Sequence, residues 1–156
     1  MTDKLTHHDC SWCEKVVKDQ RTVIVEQRYD VAQDFALEYR ICRGALKWEG
    51  FSLFQSKGGI YRSNHLLFDD EIYTKICSLC SQTHFDSIRS LIEHWIEENI
   101  CSRYEGPLGV DLFVDQRGNI HLSEMNFRHT MGLVAHQYLI NHPEAHAAQW
   151  IPQIPK

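Results

Sequence analysis

The chain of 156 residues has no apolar run near the length that a bilayer-spanning helix requires. Its first ten residues, MTDKLTHHDC, lack the apolar core of a secretory signal. A cytoplasmic protein with its six cysteines reduced is the expectation. There is no excess of positive charge: 16 Lys and Arg stand against 21 Asp and Glu, a net charge of −5. That removes the electrostatic argument for nucleic acid or an anionic membrane as partner. Neither G-x-x-x-x-G-K-[ST] nor G-x-G-x-x-G occurs, so the common glycine-loop phosphate sites are missing. The histidines show no metal-ligand spacing, and the pair His7-His8 reads as a solvated tip. What remains is an ordinary globular composition, 43% hydrophobic, long enough for one domain (1–156) with a real core. Residues 1–9 and 151–156 are expected to be flexible ends.

The most informative stretch is GPLGVDLFVDQRGNIHLSEMNFRHTMG, residues 106–132. LGVDLFV is apolar apart from Asp111, NIHLSEMNF alternates, and Gln116-Arg117-Gly118-Asn119 between them is a hairpin turn. Residues two apart on a strand share a face, so Glu124 and Asn126 point the same way. Asp111 on the partner strand can lie beside or diagonal to them. A carboxylate interrupting an apolar strand is expensive to bury unpaired, which marks Asp111 as more than a solvent-facing charge. Two carboxylates and an amide oxygen suit a hard cation such as Mg²⁺.

Those residues carry a family resemblance. Asp111, then Glu124-x-Asn126, with Arg128 two further on, resembles the metal-binding end of the ATP-grasp superfamily. The resemblance implies ATP and Mg²⁺ (or Mn²⁺) as cofactors. It implies that Asp111, Glu124 and Asn126 are metal ligands and that Arg128 steadies the transferred phosphoryl group. It also implies a ligase that joins a small-molecule carboxylate to an amine or thiol through an acyl phosphate.

The rest of the chain is read in order. A short helix over 11–20 has Trp12, Val16 and Val17 for its apolar face. Thr22-Val-Ile-Val25 is a β-branched run expected to form a buried strand ending in Glu26. VIVEQRYD resembles the hinge of ATP-grasp proteins, which makes Val23, Val25 and Glu26 candidates for contact with adenosine. An antiparallel meander follows, with strands over 34–42, 46–54 and 60–63 and turns at Arg43-Gly44 and Lys57-Gly-Gly59. In the resembling family this sheet floors the nucleotide site. Arg40 and Arg62 are then candidates for phosphate, set against the plainer reading of solvated or salt-bridged strand arginines. Helices are expected over 69–80 and 84–100. The second has an apolar stripe of Phe85, Ile88, Leu91, Ile92, Trp95 and Ile96. A last helix over 130–140, capped by Thr130, places Leu133, Val134, Tyr138 and Leu139 on its apolar side and ends at Asn141-His-Pro143, before a tail. A proton-transfer role for His129 has no support in the pattern.

The cysteines open an alternative. Cys10-x-x-Cys13 and Cys77-x-x-Cys80 can make a four-cysteine structural zinc site in a non-catalytic binding or assembly module. The long gap and the helical context favour packing instead, since three-residue spacing puts both thiols on one helix face.

The expected fold is α+β: an antiparallel sheet with helices packed mainly on one face, resembling the C-terminal subdomain of an ATP-grasp unit. The lysine-bearing strand and glycine-rich lid that the family places before the hinge have no room upstream of residue 22. The lobe is therefore expected to be inactive alone, as a fragment, as half of a split enzyme with a partner chain, or as a relic. Half of the charge set around a γ-phosphate supports at most weak binding.

Overall fold

Alternation of apolar residues builds the centre of the molecule. In the strand β1 (Val31–Cys42), Phe35, Leu37, Tyr39 and Ile41 are buried on one face, while Asp34, Ala36, Glu38 and Arg40 share the other. The computed structural model describes residues 7–24, 27–57 and 60–151. Around β1 lie β2 (Ala45–Lys57), β3 (Ile60–His65), β4 (Gly106–Asp115), β5 (Ile120–Asn126) and a short β6 (Gln149–Trp150). They form one six-stranded sheet in the order β5-β4-β1-β2-β3-β6, antiparallel at every pairing.

Helices α2 (Asp69–Leu79) and α3 (Gln82–Asn99) cover the odd-numbered face of β1. Ile72, Ile76, Phe85, Ile92 and Ile96 pack there against Phe35, Leu37, Phe51, Val110 and Leu112. Arg89 of α3 lies 3.9 Å over the Trp48 ring and binds Glu93, whose carboxylate also accepts from the Tyr39 hydroxyl. The antiparallel sheet with helices mainly on one face is thus the observed architecture.

The fourth helix, α4 (Met131–Asn141), sits over the other face, where Gly132 lies against Ser52 and Glu38. A smaller cluster of Leu66, Ala135 and Leu139 seals it at the β3 end. The first helix, α1 (His7–Gln20), precedes the sheet.

Several expectations need correction. Residues 22–24 form no strand, and Ile24 is 81% exposed. A β-branched run becomes a strand only where a neighbour can pair with it, and both flanks of β1 are already taken by β2 and β4. Val25, Glu26 and the turn glycines Gly58 and Gly59 lie outside the described residues. On α3, Leu91 and Trp95 belong to a second stripe that stays exposed, at 63% and 46%. On α4, Ala135 takes the buried place expected for Val134 and Tyr138. Trp12 and Val17 of α1 are exposed, so that helix buries less than its pattern suggests. The expected tail carries a 3₁₀ turn (Pro143–Ala145) and then β6, which pairs Trp150 with Asn64.

Candidate functional site

The face of the sheet away from α2 and α3 holds a cleft of about 320 Å³ between β5, β3 and the start of α4. β-bulges decide which side chains point into it. Between β4 and β5 the register passes from Asp111↔Glu124 to Leu112↔Leu122, so Ser123 is an extra residue. Glu124 is thereby placed directly across from Asp111, and Asn126 across from Gly109. Bulges commonly re-aim side chains in this way. The turn before β5 is tightened by Asp115, whose carboxylate accepts from the backbone of Arg117 and Asn119, and by Gly118 at φ +83°.

The hairpin brings Asp111, Glu124, Asn126 and Arg128 together. Asn126 Nδ2 donates to Asp111 Oδ2 and to Glu124 Oε1, each at 3.0 Å. Arg128 Nη2 donates to Asn126 Oδ1 at 3.0 Å. Burial first, and then the facing Glu124 carboxylate, push the Asp111 pKa up to about 6, against the pull of Arg128 and Asn126. The donor set is oxygen-rich and short of positive charge, which suits a hard divalent cation. The carboxamide at present turns its nitrogen to the carboxylates, and a half-turn would offer Oδ1 instead.

Glu38, absent from the sequence-based candidates, is the deepest charged group of the cleft at 0% exposure. Its carboxylate accepts from Thr130 Oγ1 at 2.8 and 2.9 Å and from Ser52 Oγ at 3.1 Å. Desolvation outweighs those donors and raises its pKa to about 7. Thr130 is also the N-cap of α4, accepting from Leu133 N at 2.9 Å. Close approach explains two glycines. A Cβ on Gly109 would meet Thr130 Cγ2 at 2.3 Å, and one on Gly132 would meet Glu38 Oε1 at the same distance. Glu38 was missed because the even-numbered face of β1 reads as solvent-facing until α4 covers it.

The remaining candidates lie elsewhere. Val23 is half-buried outside any regular element. Arg40 is salt-bridged, its Nε 2.6 Å from Glu49 Oε1. Arg62 is exposed, as is His129. Cys77 and Cys80 pack against the main core, while Cys10 is exposed. Among the described residues no three or more His, Cys, Asp or Glu side chains group so as to hold a metal, and the two cysteine pairs are not brought together in such a group.

No protein-family model matches the sequence, and no curated protein matches it. Solved structures do match the fold. The ADP complex of PurK, N5-carboxyaminoimidazole ribonucleotide synthetase, aligns over 83% of this chain and 31% of its own, with TM-score 0.54 and 12% identity. The Staphylococcus aureus N5-carboxyaminoimidazole synthetase complexed with ADP aligns over 81% of this chain and 31% of its own, with TM-score 0.50 and 10% identity. PurK is an ATP-grasp enzyme, and this chain has an ATP-grasp-like fold. It spans 31% of the length of these neighbours.

Proposed function

We propose that this chain is the nucleotide- and Mg²⁺-binding lobe of an ATP-dependent carboxylate–amine or carboxylate–thiol ligase working through an acyl phosphate. The observation that carries the reading is the linked set Asp111, Asn126, Glu124 and Arg128, held on the cleft face of an ATP-grasp-like sheet. The two neighbours are ADP complexes, which supports a nucleotide as ligand.

The chain's own residues perform distinct tasks in this reading. Asp111, Glu124 and the turned Asn126 amide would hold Mg²⁺. When bound, the ion would offset the charge of the nucleotide phosphates. Turning the amide releases Arg128 Nη2 from Asn126 Oδ1, so the guanidinium becomes available to a phosphate oxygen. Glu38 and Thr130 fix the start of α4, which forms the wall opposite β5. The remainder of the ligase, with the lid over the triphosphate, belongs to further sequence or to a partner chain. Turnover by this lobe alone is expected to be negligible, because several charges must surround the γ-phosphate at once.

Calorimetric titration of the full chain with ADP, in Mg²⁺ and in EDTA, tests the reading. Binding is expected to be stronger in Mg²⁺ by about tenfold, equivalent to about 1.4 kcal/mol. Glu124→Ala should remove that difference while leaving the fold intact, since Glu124 is exposed. Equal binding in both buffers by the parent chain would overturn the assignment.

A further inference from the structure

The cleft has a second end, unlike the first. The pairing of β2 with β3 steps from Gln55↔Ser63 to Ser56↔Tyr61, so Arg62 is an extra residue in β3. Without that bulge, Tyr61 and Asn64, three apart in a strand, would face opposite sides. With it, both line the cleft, beside Phe54 and Ser56 of β2. Asn64 is 1% exposed, and among the described residues neither its Nδ2 nor its Oδ1 has a hydrogen-bond partner; the Tyr61 hydroxyl has none among them either. Buried polar groups are nearly always paired, and an orphaned carboxamide asks for a partner that both donates and accepts.

We propose that Asn64 and Tyr61 form an acceptor subsite for a neutral amide edge, that is, a carboxamide, lactam or peptide group of the second substrate. This rests on the reading of the same cleft as the place where nucleotide and substrate meet. Charge decides the class. Asp34 lies level with Asn64 across the sheet, through Phe54, whereas Arg128 stands on the β5 side. A carboxylate would meet a like charge there. An ammonium would satisfy Asn64 Oδ1 but leave Nδ2 without an acceptor. An amide edge matches both atoms, in the manner of the paired bonds that Asn makes to other donor–acceptor edges. Tyr61 is only half-buried.

Nuclear magnetic resonance of the ¹⁵N-labelled full chain tests this with acetamide, acetate and methylammonium as probes. Acetamide should shift the Asn64 side-chain NH₂ pair and the Tyr61 amide, and acetate and methylammonium should not. Asn64→Leu should weaken acetamide at least tenfold. Tyr61→Phe, which removes a single oxygen, should weaken it severalfold and serves if Asn64→Leu fails to fold. No shift with acetamide, tighter binding of either ion, or unchanged binding in Tyr61→Phe would overturn the proposal. Mg²⁺·ADP, followed at Glu124 and Asn126 in the same spectra, separates the two readings. Loss of the acetamide response alone removes this subsite, and loss of the nucleotide response alone removes the assignment of the other end.

Discussion

Glu38 shows how far a single residue can depart from its sequence context. In FALEYRI it occupies the polar half of an alternating strand, and nothing in the pattern separates it from Arg40 on the same face. One ends under α4 at 0% exposure, and the other ends in an ion pair with Glu49. Asp111 was legible because it breaks an apolar strand; Glu38 was not, because its burial comes from a helix 92 residues away. Asn64 and Tyr61 were hidden for a related reason, since a bulge shifts the period of two on which strand reading depends. The raised carboxyls set the pH behaviour. The Glu38 pKa rises from 4.5 to about 7 and that of Asp111 from 3.8 to about 6. Between those limits the folded chain holds more protons than the unfolded one, so stability is highest below about pH 4 for these groups. It is then lost as the pH rises through about 6 and 7. For Glu38 the full effect is roughly 3 kcal/mol. Melting temperature against pH should therefore fall between pH 5 and 8, on the order of several degrees. Glu38→Gln should flatten that slope, and an unchanged slope would mean that Glu38 is not the group responsible.

At the scale of elements, the sheet and the α2–α3 layer were readable because each satisfies its own periodicity. Phe35, Leu37, Tyr39 and Ile41 alternate, and Phe85, Ile92 and Ile96 recur at helical spacing. The errors concern context. The run 22–24 has strand propensity without a strand to pair with. Leu91 and Trp95 extend an apolar pattern beyond what the sheet can cover. The start of α4 rests on Thr130, which caps the helix and donates to Glu38. Thr130→Ala removes the cap and leaves the buried carboxylate with Ser52 as its remaining side-chain donor. Loss of the cap costs about 1 kcal/mol, and under-satisfaction of Glu38 a further 1–3 kcal/mol or so. Urea denaturation should register a loss of roughly 2–4 kcal/mol on that sum. Thr130→Ser, which keeps the hydroxyl, should recover most of it. A loss below about 0.5 kcal/mol would contradict the part given to Thr130.

For the whole molecule, the hairpin motif led to the same fold that the structure comparison finds, although identity to those neighbours is 10% and 12%. The chain spans 31% of the length of those neighbours, so the rest of their fold has no counterpart in this sequence to read. No helix of the described residues is long and apolar enough to cross a membrane. The central claim is that Asp111, Glu124 and Asn126 hold a divalent cation together with a nucleotide. Paramagnetic broadening by Mn²⁺ in the presence of ADP locates such an ion directly. The account predicts that the amide resonances of Asp111, Glu124 and Asn126 broaden first and only weakly without ADP, while Phe85 and Ile92 on the opposite layer stay sharp. Broadening centred elsewhere, or equally strong without nucleotide, would contradict it.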